Sequence, residues 1–512
     1  MRGWVSPTCT ITRLEARPRS FSTSRAYLKR VNVAQLLASD AEAKHVDVYG
    51  WVRSLRKQKK IAFAALGDGS TLEPLQAVLK PDDAAQLSTG ASVKLTGSWQ
   101  ASTGKKQSHE LQVNAIGLLG DNDAEHNPVQ PKYQTPEYLR TIPHLRPRIP
   151  ANALLLRLRS QVIASLTQFF ATEGFVQTHT PVITSSDCEG AGEVFTVSSN
   201  AAKDSAQKSK PEDEAQVEHF FRVPKYLTVS AQLHLEALAQ AVDRVWTLSP
   251  TFRAEKSDTP RHLSEFYMLE AELCFTEDLE EVMSVVENML RAVAHSLDKS
   301  PLGAELLKAR DVQTKDTEDG DGAVTTATLR QRWAGMRTGE WPRITYSDSI
   351  KLLEQAVSDG EATFAFRPSY KDGLQAEHER YIAAIVGEGW RPVFVTDYPS
   401  VQKPFYMPPS LSTANSSGSE DTVACFDLLV PELCELAGGS MREARSAELL
   451  KAMQAKGVAG NNLEWYQDLR KYGSVPHGGF GLGFDRLLCY LSGISNVRDV
   501  VAFPRWHGRC DC

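Results

Sequence analysis

Between Val245 and Phe275 the chain reads VWTLSPTFRAEKSDTPRHLSEFYMLEAELCF, a stretch rich in residue types that handle anions. Two β-rich runs flank a polar turn from Lys256 to Arg261 that holds Asp258 and Pro260, the pattern of a hairpin with a long loop. Side chains alternate along a strand. Arg253 and Glu255 are therefore expected on one side of the first strand, and Phe266, Met268, Glu270 and Glu272 on one side of the second. If those faces coincide, one surface carries a guanidinium, an aromatic ring and three carboxylates, with Arg261 and His262 at its loop. Such a surface can grip phosphates, stack a base, and hold an ammonium group or Mg2+. The same pattern also describes a solvated sheet face with cross-strand ion pairs.

Two later stretches add to this set. Cys425 to Arg445, CFDLLVPELCELAGGSMREAR, places Asp427 and Glu435 in a strand–turn–strand context, followed by Gly438, Gly439 and Arg442. Gly478 to Arg486, GGFGLGFDR, reads as a glycine strand running into a helix near Asp485. Glycines there admit a ligand close to the backbone or allow tight helix–strand packing. A Walker loop is excluded, because no Lys-Ser/Thr follows and the G-x-G-x-x-G spacing is absent. Ser230 and Gln232 stand at a strand-to-helix junction, where polar side chains cap a helix or face a ligand. Glu189 and Glu193 lie in a glycine-punctuated loop, Asp187 to Phe195.

The elements that must position these residues follow from periodicity. Asp47 to about Gly120 holds five short alternating runs separated by turns, which favours a small barrel of the OB type. Arg53, Arg56, Lys57, Lys59 and Lys60 lie between its first two strands, with Phe63 and Gln76 just beyond. Basic residues beside an exposed aromatic suit unstacked single-stranded bases; the alternative is a core Phe63 and a solvated basic hairpin. Residues 121–150 read as a Pro-rich linker. A helix then runs from Asn152, a candidate cap, to Glu173 and Gly174, and Phe175 to Thr184 reads as a strand that Pro181 demotes to an edge or an interface. Further helices are expected around 277–297, 347–357 and 374–387, with a strand at 392–397. Residues 199–218, 300–340 and 408–420 read as insertions.

Composition sets bounds. A chain of 512 residues suits two or three domains. No apolar run is long enough for a membrane span. The eight cysteines form no C-x-x-C pair, which argues against structural zinc and suits a reducing compartment. Residues 1–30 carry seven basic side chains against Glu15 alone, a net of +6 in a chain of −6, so residues 31–512 carry −12. Nucleic-acid binding must therefore use a local patch. The Arg- and Ser-rich, acid-poor residues 1–28 fit a mitochondrial transit peptide, or otherwise a basic tail.

Together these stretches resemble the class II aminoacyl-tRNA synthetases of the aspartyl/asparaginyl group, over nearly the whole chain after residue 30. Leu166 to Pro181 is similar to the first class motif. Phe252-Arg-Ala-Glu255 through Arg261-His262 to Phe266 is similar to the second, and Gly481 to Arg486 to the third. Glu270, where aspartyl enzymes usually carry Asp, and Gly438 to Glu443 resemble the asparaginyl branch. The sequence departs from the family at Glu432 and Cys434, where glycines are usual.

The resemblance implies an α+β fold: an OB-fold anticodon-binding barrel (31–120), then a catalytic domain (151–512) on an antiparallel sheet with flanking helices. It implies activation of asparagine with ATP and transfer to tRNA(Asn), with Arg253, Glu255 and Arg486 as catalytic residues. ATP would be held by these three with Arg261, His262, Leu263, Phe266, Glu435, Gly483, Phe484 and Asp485. Arg253 would grip the α-phosphate, Arg261 and His262 the outer phosphates, and Phe266 with Arg486 would sandwich adenine. The amino acid would meet Glu189, Ser230, Gln232, Arg253, Glu270, Gly438 and Arg442. Asp427 and Glu435 would hold Mg2+, and Arg56, Phe63 and Gln76 would read the anticodon. A homodimer in the mitochondrial matrix, with no membrane association, is the expected form. Two other readings stay open: an aspartyl ligase of relaxed specificity, and a catalytically silent paralogue that only binds RNA.

Overall fold

The computed structural model describes residues 31–104, 107–130, 132–185, 193–199, 219–316, 324–410, 421–458, 460 and 462–512. The expected presequence, Glu189, residues 200–218 and residues 411–420 lie outside them. The chain divides into two compact units, meeting at Asn127 and Pro128.

In the first unit β1 (Ala43–Lys57), β2 (Ala62–Gly67), β3 (Leu75–Leu79), β4 (Ser92–Ala101) and β5 (His109–Gly120) close a barrel in the order β1-β2-β3-β5-β4. Alternation builds it. Val48 and Val52 of β1 point inward to Ala64, Leu66, Ala77, Val93, Leu95 and Leu111, while Trp51 between them is exposed.

The second unit is built on an eight-stranded sheet. Its strands are β6 (Val176–Gln177), β10 (Arg244–Phe252), β11 (Glu265–Cys274), β12 (Arg343–Thr345), β13 (Val393–Pro399), β14 (Thr422–Val430), β15 (Cys434–Met441) and β16 (His477–Gly483), in the order β12-β13-β14-β15-β16-β11-β10-β6. The expected antiparallel pairing holds from β13 to β10, but β12–β13 and β10–β6 are parallel, so the sheet is mixed. One face is apolar: Leu269, Ala271, Phe426, Leu428, Phe480 and Leu482 pack with the helices Pro150–Thr172, Leu279–Asp298 and Phe484–Ser492. Among the described residues, helices cover the two ends of the other face. Leu235 and Ala239 of the helix Gln232–Val242 join Val245 and Cys274 at one end. Helices Tyr346–Ser358 and Ala376–Ile385 cover Val393, Val395 and Leu429 at the other. The gap between them is the site.

Four expectations change. Residues 301–316 and 326–337 of the stretch read as an insertion are helices, and their Leu306, Leu329 and Trp333 are core residues whose charged neighbours masked the apolar stripe. The stretch 175–184 is two two-residue strands in different sheets, Val176–Gln177 (β6) and Ile183–Thr184 (β7), the latter paired in a small sheet with β8 (Thr196–Val197) and β9 (Lys225–Leu227), because Pro181 cannot donate to a ladder. The helix at 150–172 starts at Pro150 with Ile149 as its cap, and Asn152 instead donates to the Arg146 carbonyl at 2.9 Å. Finally, β10 ends at Phe252, so Arg253 and Glu255 belong to the hairpin loop.

Candidate active site

One cross-strand row organises the open face. Asp427 of β14 pairs with Gly438 of β15, Gly438 with Gly481 of β16, and Gly481 with Glu270 of β11. Residues in such a row point the same way, so two carboxylates flank a floor that has no side chains. The floor is close to its neighbours. A Cβ on Gly438 would lie 3.2 Å from Asp427 Oδ1, and one on Gly481 3.3 Å from Met268 Sδ.

Beside this floor an open cleft of about 690 Å³ is lined by Arg253, Glu255, Arg261, His262, Leu263, Phe266, Glu435, Gly483, Asp485 and Arg486, together with Met268, Leu436, Gly481 and Val497. The expected nucleotide residues thus converge, with one exception. Phe484 is fully buried in the core behind the sheet and does not line the cleft. Asp485 lines the cleft yet serves the scaffold, accepting from Arg159 at 2.6 Å and from the Tyr267 backbone N–H at 2.9 Å.

The cleft is rich in cations. The Arg253 guanidinium stands 5.7 Å from the Phe266 ring centre and 3.9 Å from Glu255, whose other oxygen is 3.6 Å from His262 Nε2. Arg486 donates to the Glu435 carbonyl at 3.1 Å and lies 3.7 Å from its carboxylate. Burial lowers the pKa of His262; Glu255 opposes this, while Arg486, Arg261 and Arg253 reinforce it. The three guanidiniums thus favour the neutral ring, and an arriving polyphosphate would oppose them.

Asp427 and Glu435 differ in character. Burial raises the Asp427 pKa, against the pull of Lys403 and with the push of Glu435. Glu435 is held below the ordinary range, because Arg486, Lys403, Arg253 and Arg261 outweigh its burial. Lys403 Nζ bonds both Asp427 oxygens, at 2.9 and 2.8 Å. Among the described residues no group of three or more His, Cys, Asp or Glu is placed to hold a metal ion. The two hard carboxylates fit an ion held chiefly through phosphate oxygens and water, which is how Mg2+ is usually bound.

At the amino-acid end, Glu270 accepts from the Ser230 hydroxyl and from the Ala231 backbone N–H at 2.9 Å. Gln232 donates to Glu236 at 3.0 Å. Arg442 forms a two-pronged pair with Glu272, Nη2 to Oε1 at 2.5 Å and Nε to Oε2 at 3.2 Å. These residues are gathered as expected, but Glu270 also anchors the strand-to-helix junction, and Arg442 already has a carboxylate partner.

In the barrel, Arg56 lies 5.0 Å over the half-buried Phe63 ring, opposite it across β1 and β2. Gln76 is on β3 one step along, its amide fixed by Glu110 at 3.0 Å. This decides against a core Phe63.

Sequence reasoning missed three contributors. Lys403 follows a strand end and precedes a proline, with nothing to link it to Asp427. Glu379 on the helix Ala376–Ile385 has one oxygen buried without a hydrogen-bond partner, and its carboxyl is pushed up to about 7. Burial is the main cause; Glu435 and Asp427 add to it, and Arg261 opposes. Its signal was a charge beside the buried His378 and Ile382. Glu236 is the one acidic residue of the helix Gln232–Val242, and nothing local marks it.

Residues 136–507 match the family model of the tRNA synthetases class II (D, K and N), and residues 46–119 that of the OB-fold nucleic acid binding domain. The chain is 42% identical over 478 residues to the asparaginyl-tRNA synthetase of Mus musculus, covering 93% of each chain. It is 40% identical over 477 residues to the mitochondrial asparagine–tRNA ligase of Saccharomyces cerevisiae, covering 90% of this chain and 92% of that one. With the asparagine–tRNA ligase of a Nostoc species it shares 42% over 482 residues, covering 92% and 97%. Its structure is similar to that of asparaginyl-tRNA synthetase from Pyrococcus horikoshii complexed with asparaginyl-adenylate. The TM-score is 0.77 at 27% identity, with 94% of this chain and 99% of that chain covered.

Proposed function

The chain belongs to the class II tRNA synthetases of the D, K and N group, and from that premise we propose that it is an asparagine–tRNA ligase serving mitochondrial translation. The observation that carries this reading is the Asp427–Gly438–Gly481–Glu270 row. Its bare floor joins a cation-lined cleft suited to a nucleotide to a pocket walled by Glu270 and Arg442.

In the first step the asparagine carboxylate attacks the α-phosphorus of ATP. A carboxyl O–P bond forms, the bond to the bridging oxygen breaks, and pyrophosphate leaves. Arg253 offsets the charge growing on the α-phosphate, as preorganised donors do in general. Phe266 and Arg486 hold the base, while Arg261 and His262 hold the outer phosphates. Asp427 and Glu435 are the residues to hold Mg2+, which when bound neutralises phosphate charge. In the second step the terminal ribose hydroxyl of the tRNA attacks the adenylate carbonyl and AMP leaves. No side-chain nucleophile is required, since alignment of the reactants carries much of the rate. Arg56, Phe63 and Gln76 are assigned to anticodon bases, with Phe63 as the stacking platform.

Charging of a tRNA(Asn) transcript tests the proposal: asparagine should be esterified and tRNA(Asp) ignored. Failure to charge tRNA(Asn) in a folded protein contradicts it.

The mitochondrial role is supported by the basic, acid-poor residues 1–30. Fusing them to a fluorescent protein should carry it to mitochondria. The homodimer is supported by Val176, a large apolar side chain left exposed within the first-motif stretch, and by Leu156 and Ile183, exposed on either side of it. Light scattering should then give twice the 56.5 kDa of one chain.

A further inference from the structure

Behind the amino-acid end of the cleft lies a buried ionic network that the reaction steps above do not use. Glu236 is fully buried. It accepts from Arg470 Nη2 at 2.6 Å and Tyr466 Oη at 2.8 Å, and it faces His477 Nε2 at 3.2 Å. Arg442 Nε lies 3.9 Å from the other Glu236 oxygen, while its remaining nitrogens are engaged by Glu272 and Ser440. The fold makes room for this: a Cβ on Gly479 would fall 2.3 Å from the Glu272 carboxyl carbon.

Water cannot screen charges at this depth, so the next group to enter feels the sum of those already there. Two guanidiniums, Arg442 and Arg470, are answered by two carboxylates, Glu236 and Glu272. Arg442 therefore offers N–H donors without an unbalanced positive charge. A substrate amide oxygen accepts from such donors at little cost. A substrate carboxylate would give up its hydration with no free counter-charge in return.

We propose that Glu236 is a positioning and specificity-determining residue: it holds Arg470, His477 and Tyr466 behind Arg442 and cancels the charge that would otherwise welcome aspartate. This rests on the ligase reading and on Arg442 meeting the substrate side chain.

Glu236→Gln tests it, keeping shape and one acceptor oxygen while removing the charge. In ATP–pyrophosphate exchange the KM for asparagine should rise about tenfold with kcat little changed. The asparagine-to-aspartate ratio of kcat/KM should fall about tenfold or more. The paired variant Glu236→Gln with Arg470→Gln removes one charge of each sign, and its ratio should stay within about threefold of the parent. If the single variant does not fold, the paired one decides alone. A folded Glu236→Gln enzyme with an unchanged ratio overturns the proposal, and so does a paired variant whose ratio falls tenfold. A parent enzyme that exchanges with neither amino acid overturns instead the ligase reading beneath it.

Discussion

The ammonium of Lys403 sits 2.9 and 2.8 Å from the two oxygens of Asp427, at one end of the Asp427–Gly438–Gly481–Glu270 row. It occupies the place of a cation beside a carboxylate that burial would otherwise penalise. Lys403→Met should strip Asp427 of that partner and cost about 2–4 kcal/mol of stability. It should also strengthen Mn2+ binding to the nucleotide-free protein, read by electron paramagnetic resonance, by about tenfold or more. Unchanged Mn2+ affinity would contradict the assignment of Asp427 to the metal.

His262 supplies a pH dependence for nucleotide binding. Its pKa is lowered in the free protein by burial and by the guanidiniums around it. A bound polyphosphate raises it, so binding takes up a proton, and ATP affinity should strengthen as pH falls from about 8 to about 6. Below the free-state pKa the dependence should level off. Titration calorimetry on the parent and on His262→Gln checks this, because the variant should lose the slope.

Glu379 makes a prediction about stability. Its carboxyl is pushed up to about 7 from an ordinary value of 4.5, by burial first and then by Glu435 and Asp427. Folding therefore favours its protonated form. That contribution is full below the unfolded pKa and is lost as pH rises through the folded one. Glu379→Gln cannot ionise, and with allowance for partial exposure it should exceed the parent by about 1–2 kcal/mol at pH 8. Near pH 5 the gap should nearly close. Urea unfolding at the two pH values reads the difference, and a gap of equal size at both would refute the cause given.

Glu432, in the turn between β14 and β15, and Cys434, the first residue of β15, both keep a glycine-like backbone, with φ of 67° and 68°. Each left-handed residue costs about 1–2 kcal/mol. Glu432 offsets its share by pairing with the buried Arg332. Cys434 is fully buried and directs its thiol to the Ala376 carbonyl at 3.3 Å. Glu432→Gly should therefore destabilise by about 1–2 kcal/mol despite the relaxed backbone, because the buried Arg332 loses its carboxylate partner. Cys434→Gly should stay within about 1 kcal/mol of the parent, the relief offsetting the small cavity. Chemical denaturation distinguishes the two.

Much of this was legible in the sequence. The alternation of β1 to β5 announced a barrel, and the hairpin residues Phe266, Met268, Glu270 and Glu272 took the common face that period-two patterning requires. Contacts set by strand register were not legible. Nothing local shows that Gly438 will lie against Gly481, or that Lys403 will reach Asp427. Helices 301–316 and 326–337 were hidden because Leu306, Leu329 and Trp333 are interspersed with charged residues. Glu236 looked like a lone acidic residue on its helix, since its partners Arg470 and His477 come from more than 230 positions away.

ATP–pyrophosphate exchange on the purified protein, with asparagine and aspartate compared side by side, tests the central claim most directly. The pocket walled by Glu270 and by an Arg442 already paired to Glu272 predicts exchange with asparagine, and aspartate slower by about a hundredfold or more. Comparable exchange with aspartate would contradict the amide-selective pocket, and exchange with neither in a folded protein would contradict the adenylate chemistry itself.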